Sequence, residues 1–214
     1  MLAKYYSGES SKEQLLVKYV SDYKKQVSGK APDNNIAAKF FRQGLDAISS
    51  LTPARAKILA IEDEVRFNLK ERSFIGFIDL VTEDEDGNIS IIDHKSKDLK
   101  RRSSKGRYTL SDKTLDEYLR QLYLYSIPVS KKFGVSPKFL TFNCYRTGEV
   151  IQEPFSEVAF EEAKAWAESS VQNIIGESNW EPCIDYYYCK YICDVHNDCE
   201  YYSLYFGKPS RGRR

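Results

Sequence analysis

The sequence lacks any uninterrupted apolar stretch of the about 18 residues that a membrane-spanning helix requires. Its first residues, from Met1 to Tyr5, do not begin the apolar segment of a secretory signal. Charge of one sign is not in excess either, because 32 basic residues balance 31 acidic ones, so net charge identifies no class of partner. These absences exclude a membrane protein and predict an intracellular globular one.

Histidine is scarce, and the sequence contains no Gly-rich phosphate loop. With only His94 and His196 available, a Ser-His-Asp hydrolase and a P-loop ATPase receive little support. Cysteine, by contrast, is concentrated, because four of the five cysteines fall between residues 183 and 199. In an intracellular protein, such a cluster favours a metal or iron–sulfur site over disulfides.

Hydrophobic periodicity predicts an α/β fold with a mixed sheet. Two amphipathic helices come first, and the capping box Ser10-x-x-Glu13 opens the earlier one. The period then changes, and three antiparallel strands are predicted over residues 61–69, 74–81 and 88–95. A second capping box, Thr114-x-x-Glu117, predicts a helix that ends at Pro128. A strand over residues 139–145 and a helix over 156–175 follow.

Two carboxylates and a lysine are predicted to converge at the end of the hairpin that has Asp86-Gly87 at its turn. A two-residue turn sets Asp79 opposite His94, whereas a slightly longer loop sets it opposite Asp93. Either register brings the carboxylates within about 5–8 Å at Cβ. Lys95 shares the strand face of Asp93. Hard oxygen ligands suit Mg²⁺ or Mn²⁺, although a strand-end ion pair is the alternative for this triplet alone.

Three segments follow one another along the chain: Gly76-Phe77-Ile78-Asp79, then Ile91-Ile92-Asp93-His94-Lys95-Ser96, then Gln121-Leu122-Tyr123-Leu124-Tyr125. Together they resemble the "G-x-I-D", "D-x-K" and "Q-x-x-x-Y" motifs of the PD-(D/E)xK nuclease superfamily, in its RecB-like branch of exonucleases with phage and CRISPR-associated members. The resemblance implies a restriction-endonuclease-like core with a central mixed sheet flanked by helices. It also implies a DNA exonuclease that depends on Mg²⁺ or Mn²⁺.

The resemblance also implies a ligand set. Asp79, Asp93 and the backbone carbonyl of His94 would bind the metal, and Lys95 would be catalytic. A further carboxylate is expected before these strands. Glu62 best matches that position, and Glu64, on the same strand face, is the alternative.

Gln121 and Tyr125 are four residues apart and therefore share one helical face. The resemblance places this helix beside the active site, where it contacts DNA or supports the lysine. Tyr125 as an ordinary core residue is the alternative. A buried glutamine is harder to explain in that way, because its amide needs hydrogen-bond partners.

Four cysteines are clustered near the C-terminus: Cys183, Cys189, Cys193 and Cys199. They suffice for a zinc site or an iron–sulfur cluster, although their spacing fits neither a zinc ribbon nor a simple ferredoxin. The last three look like the C-terminal trio that holds a [4Fe–4S] cluster in many RecB-like nucleases, with a fourth ligand from an N-terminal "C-P" segment. No cysteine precedes Cys144 and no histidine precedes His94, where the family has a catalytic one. We therefore expect an N-terminally truncated chain in which Cys183 replaces the lost ligand; unligated thiols are the alternative.

The expected organisation is a nuclease domain over residues 1–180 and a Cys-rich segment with a basic tail over 181–214. Basic residues between positions 97 and 107 are expected to contact DNA phosphates. The predicted partners are linear duplex or single-stranded DNA and a recombination or helicase protein, in the cytoplasm of a bacterium or of a phage host. The alternative function is a DNA-binding or assembly module that retains the nuclease fold without its activity.

Overall fold

The computed structural model describes residues 1–26, 34–52, 55–104, 107–193, 195–196 and 198–207. Packing divides the chain into two compact units, Met1–Ser169 and Ser170–Arg214, whereas the boundary at residue 180 stays a prediction. The helices are α1 (Leu2–Tyr6), α2 (Lys12–Gln26), α3 (Asn34–Ser49), α4 (Leu110–Phe133), α5 (Glu157–Gly176), α6 (Tyr186–Tyr191) and α7 (Glu200–Phe206). The strands are β1 (Lys57–Leu69), β2 (Arg72–Glu83), β3 (Ile89–Lys95), β4 (Phe139–Cys144) and β5 (Glu149–Pro154).

A mixed sheet with the strand order β1–β2–β3–β4–β5 forms the centre of the first unit. β3 and β4 are parallel, and the other neighbouring strands are antiparallel. A parallel pair needs a crossover connection, which α4 supplies here. The predicted α/β architecture, a mixed sheet with helices, is confirmed.

The core lies between this sheet and α4. Leu119 and Leu122 of the helix are buried with Ile91 of β3 and with Leu140 and Phe142 of β4. Each such side chain contributes about 1.5–3 kcal/mol when it is fully buried. This burial holds α4 against the strand that carries the predicted metal ligands.

The hairpin of β2 and β3 has one of the two registers that were compatible with the sequence. Leu80 pairs with Ile92, so continuing the register by one residue places Asp79 level with Asp93. The loop between the two strands, residues 84–88, contains Gly87 with a φ of 78°, a left-handed conformation that glycine adopts without strain. The longer of the two loops considered is therefore present.

Helix α4 differs from its prediction at both ends. Thr109 caps it by accepting a hydrogen bond from the Asp112 N–H at 3.3 Å, while the Thr109 N–H donates to the Asp112 carboxylate at 2.7 Å. The predicted start at the box of residues 114–117 is therefore wrong. The predicted end at Pro128 is also wrong, because the helix continues through it. Burial of residues on both sides, including Val129, outweighs the about 3 kcal/mol that an interior proline costs.

Helix α2 and strand β5 also differ from their prediction. Helix α2 is capped by Ser11 and Gln14 rather than by the box of residues 10–13, since the Ser11 N–H donates to Gln14 Oε1 at 2.8 Å. Strand β5 was missed, because Ile151 is the one residue of this short polar segment that is buried. None of the helices in the described part of the chain is both long and apolar enough to cross a membrane.

Candidate active site

Asp79 is held at the point where β2 and β3 cease to pair. Beyond the Leu80–Ile92 pair, the backbone N–H of His94 donates a 2.7 Å hydrogen bond to Asp79 Oδ2. The carboxylate accepts a hydrogen bond that a strand carbonyl would otherwise take. Because hydrogen bonds to a charged acceptor are strong, this contact fixes Asp79 beside the next strand.

Asp93 and Lys95 form a largely buried ion pair. Asp93 is 7% exposed, and Lys95 Nζ lies 2.8 Å from its Oδ2 atom. The distance makes this an ion pair, but its direction is poor for a hydrogen bond, and no other described residue donates to Oδ2. Burial raises the pKa of Asp93 above its ordinary value, and the neighbouring ammonium of Lys95 opposes this rise. A further cation would stabilise the charged carboxylate.

Gln121 connects Lys95 to helix α4. Lys95 Nζ donates to Gln121 Oε1 at 3.2 Å, and Gln121 Nε2 donates to the Tyr125 hydroxyl at 2.9 Å. Both ends of the amide therefore have partners, as a partly buried glutamine requires. We call this arrangement the Lys95–Gln121–Tyr125 network. The structure thus brings the second and third sequence motifs together.

Gly76 lets the tyrosine of this network lie directly on β2. A Cβ atom at position 76 would overlap Cε1 of Tyr125 and would lie 3.1 Å from both Cζ and the hydroxyl oxygen. The residue is therefore glycine because it leaves room for the aromatic ring. This contact holds α4 at the separation at which Gln121 reaches Lys95, so the first motif joins the other two.

Of the two glutamates considered, Glu62 is the one that lies near Asp79. The pairs on either side in the β1–β2 ladder place Glu62 level with Asp79, and both residues line the same cavity. Glu62 has a φ of 45°, a left-handed conformation that costs a non-glycine residue free energy and that recurs at functional sites. Glu64 instead accepts hydrogen bonds from Arg66 at 2.8 and 3.0 Å.

The cavity beside these carboxylates has a volume of about 740 Å³, within the usual range for ligand pockets. His94 forms part of its wall, and its ring stacks on Tyr6 with centroids 5.7 Å apart and planes at 8°. Neither ring nitrogen has a hydrogen-bond partner in the described part of the chain. Burial lowers the pKa of His94, which favours the neutral ring.

Tyr6 and Asn143 are among the residues of this cavity that sequence reasoning did not assign to a site. Asn143 did carry a signal, because it is a polar residue within the largely apolar strand β4. In the parallel pair of β3 and β4, it lies level with His94. Tyr6 belongs to the segment Met1–Tyr6, which resembles the part of a family helix just after its histidine, but its stacking on His94 depends on how α1 packs.

The basic loop after β3 is bound by carboxylates. Arg101 pairs with Glu149, and Arg102 contacts Glu153 at 2.6 Å and Asp116 at 2.7 Å. These pairs attach the loop to β5 and α4. Phosphate contacts by these two arginines would have to replace the ion pairs, so their predicted DNA contact stays a prediction. Lys105 and the basic tail over 208–214 lie outside the described residues.

The cysteines are all free thiols, and Cys144 is buried within β4. Cys183 is exposed, whereas Cys189, Cys193 and Cys199 are partly buried. Among the residues that the structure describes, no three or more His, Cys, Asp or Glu side chains are grouped so that they could hold a metal ion. The four C-terminal thiols therefore do not fit a preformed iron–sulfur or zinc site in this arrangement.

Among the described residues, Glu62, Asp79 and Asp93 also do not form a group of three that could hold a metal ion, but Mg²⁺ does not require such a group. Mg²⁺ keeps several water ligands and binds through only one or two carboxylates together with substrate phosphates. The buried Asp93 Oδ2 atom that lacks an aligned donor, and the neighbouring Asp79, match this requirement. The oxygen donors thus suit a hard divalent cation.

Comparison with known families adds one match. The sequence model of the PD-(D/E)XK nuclease superfamily matches residues 2–200. The matched span contains the cavity carboxylates and the Lys95–Gln121–Tyr125 network. A search of curated proteins finds no match to the chain.

Proposed function

Because the chain belongs to the PD-(D/E)XK nuclease superfamily, we propose that it is a divalent-metal-dependent DNA exonuclease of the RecB-like branch. The single observation that supports this best is the contact sequence from Gly76 through the Lys95–Gln121–Tyr125 network to Asp93. These contacts bring residues of all three sequence motifs together beside the Asp93 carboxylate. The substrate would be linear duplex or single-stranded DNA in processing, recombination or repair, with a recombination or helicase protein as partner.

The proposed metal is Mg²⁺ or Mn²⁺. Asp79, Asp93 and the backbone carbonyl of His94 would hold it, with Glu62 as a further oxygen ligand from β1. When bound, such an ion polarises the phosphodiester and lowers the pKa of a coordinated water.

The chain itself supplies orientation and charge. Gln121 holds the Lys95 ammonium in place, so that the positive charge can offset the charge that develops on the phosphate. The His94 N–H orients the Asp79 carboxylate. A group that is positioned before the reaction requires little reorganisation during it, which is why these supporting contacts matter for rate.

The activity itself is tested with end-labelled linear DNA and a closed circular DNA of the same sequence. We expect the protein to degrade the linear DNA with added Mg²⁺, but not with chelator, and to leave the circle intact. Cleavage of the circle would establish an endonuclease instead. Absence of cleavage of either DNA in the presence of Mg²⁺ or Mn²⁺ would contradict the proposed activity.

Asp79→Asn is expected to weaken Mg²⁺ binding at least about tenfold, because it removes one ligand charge. The asparagine oxygen can still accept the His94 N–H, so the fold should persist. Isothermal titration calorimetry measures the affinity. Asp86→Asn, at the exposed turn of the same hairpin, is the matched control and should bind as the wild type does. Equal affinity in the Asp79 and Asp86 variants would show that Asp79 is not a ligand.

Gln121→Leu is expected to lower turnover about tenfold while leaving Mg²⁺ affinity unchanged, because it frees the Lys95 ammonium without removing a ligand. Tyr125→Phe removes only the hydroxyl at the far end of the network and should have a smaller effect. Steady-state kinetics together with calorimetry separate the two effects. A loss of metal affinity that matches the loss of turnover would contradict a positioning role for Gln121.

A cofactor in the second unit stays a proposal, with [4Fe–4S] favoured by the RecB-like resemblance and zinc as the alternative. The thiols would have to be brought together by assembly. Cys183→Ser is then expected to abolish bound iron and sulfide after anaerobic purification, whereas Cys144→Ser should not, since Cys144 is buried in the sheet. A wild-type protein that is folded and free of iron and zinc would contradict both cofactors.

A further inference from the structure

Strand β2 presents an exposed apolar strip just before Asp79. Ile75 and Phe77 are 53% and 57% exposed, while Gly76 and Ile78, which alternate with them, are buried. Because side chains alternate along a strand, Ile75 and Phe77 point away from the Tyr125 ring that lies on Gly76, and they precede Asp79 on the same strand. We call Ile75 and Phe77 the β2 strip.

The β2 strip has a polar border whose charges cancel. Arg66 lies opposite Ile75 and Glu64 opposite Phe77, and the two border residues form an exposed ion pair at 2.8 Å. The rise of about 3.4 Å per residue places Phe77 about 7 Å from Asp79 along the strand. The distance from the strip to the proposed metal ligand is therefore about the length of one or two nucleotides.

A single exposed apolar residue is ordinary, but the position of this pair beside a candidate ligand is informative. A phenyl face can stack on any nucleobase, which is how proteins bind single strands without sequence preference. Bases in a duplex are already stacked and are not available in this way. Two side chains are far too few for a protein interface, which buries at least about 1,000 Å².

We propose that Phe77, supported by Ile75, is a base-stacking subsite that guides single-stranded DNA to Asp79. The proposal rests on the nuclease function above and narrows its substrate to a single-stranded end. The subsite aligns a base on the strip while the following phosphate reaches the carboxylates.

The test compares the wild type with Phe77→Ala, Phe77→Trp and Phe77→Leu by fluorescence anisotropy, with labelled oligothymidine or a blunt duplex of equal length in chelator. We expect Phe77→Ala and Phe77→Leu to bind oligothymidine at least about fivefold more weakly, and Phe77→Trp to bind it like the wild type. Duplex affinity and the salt dependence of binding should not change, because no phosphate contact is lost. Val158→Ala is the control, as an exposed apolar residue on α5.

Unchanged oligothymidine affinity in Phe77→Ala would overturn the subsite, and the nuclease function would stand if Mg²⁺-dependent cleavage persisted. An equal loss for oligothymidine and duplex would also overturn it. A protein that binds oligothymidine through Phe77 but cleaves no DNA would support the subsite and contradict the nuclease function. Self-association that Phe77→Ala abolishes would overturn the proposal in favour of a second copy of this chain.

Discussion

Lys95→Ala is expected to reduce Mg²⁺-dependent cleavage of linear DNA by about 10²–10³-fold, the usual loss when one preorganised electrostatic contact is removed. The lysine contacts both Asp93 and Gln121, so its charge is positioned before the substrate binds. Cleavage of end-labelled DNA under single-turnover conditions measures the effect. Lys97→Ala, measured at saturating DNA because Lys97 belongs to the basic loop, is the comparison for loss of a neighbouring ammonium, since Lys97 lies over the same Tyr118 ring, at 5.2 Å against 5.1 Å for Lys95.

The DNA affinity of the same variants distinguishes the nuclease from the alternative, a DNA-binding module without activity. We expect Lys95→Ala to bind DNA nearly as well as the wild type in chelator, since one ammonium accounts for a small part of backbone binding. If the wild type does not cleave DNA and Lys95→Ala loses DNA binding, the result would favour the DNA-binding module. Equal cleavage by the Lys95 and Lys97 variants would contradict a catalytic role for Lys95.

Gly76→Ala is expected to lower the free energy of unfolding by about 1–3 kcal/mol, because the added methyl group overlaps the Tyr125 ring. Cleavage should fall as well, since displacement of the ring moves Gln121 away from Lys95. Chemical denaturation and cleavage assays measure the two effects. Gly176→Ala is the control, because a Cβ at that position meets nothing within 4 Å.

A double-variant cycle locates the cause of this destabilisation. Tyr125→Ala removes the ring, so Gly76→Ala should cost less free energy in that background than in the wild type. The double variant should therefore be more stable than the sum of the two single losses predicts, because the clash between the methyl group and the ring is relieved. Additive costs would mean that the methyl group is accommodated without moving Tyr125, and the proposed link between the motifs would be wrong.

Prediction from the sequence was most successful where the chemical type of a side chain and its place in a motif were enough to group it with other residues. The order of the motif segments indicated that Asp79, Asp93, Lys95, Gln121 and Tyr125 belong together, and the structure brings them into contact or into register. Their roles stay predictions until the variants are measured. The choice between Glu62 and Glu64 needed the ladder of β1 and β2, since both residues alternate to the same face.

Prediction failed where several local signals compete. Two capping boxes compete at the start of α4, and the one at Thr109 is used because it also satisfies the Ser103 N–H through Asp112. Pro128 is a strong local signal for a helix end, yet burial along α4 outweighs it. The basic loop looked free in the sequence, but the partners of Arg101 and Arg102 come from β5 and α4, which are distant in the chain.

The sequence by itself determined the α/β class, because periodicity is a local property, and its motifs resemble those of the superfamily to which the chain belongs. Its assignment of the metal ligands stays a prediction. Only the tertiary structure decided that Asp79 lies level with Asp93, that Glu62 rather than Glu64 borders the cavity, and that Gly76 receives the Tyr125 ring. These outcomes depend on loop length and on the packing of α4 against the sheet. Both depend on contacts between residues far apart in the chain, whose free energies no local pattern encodes.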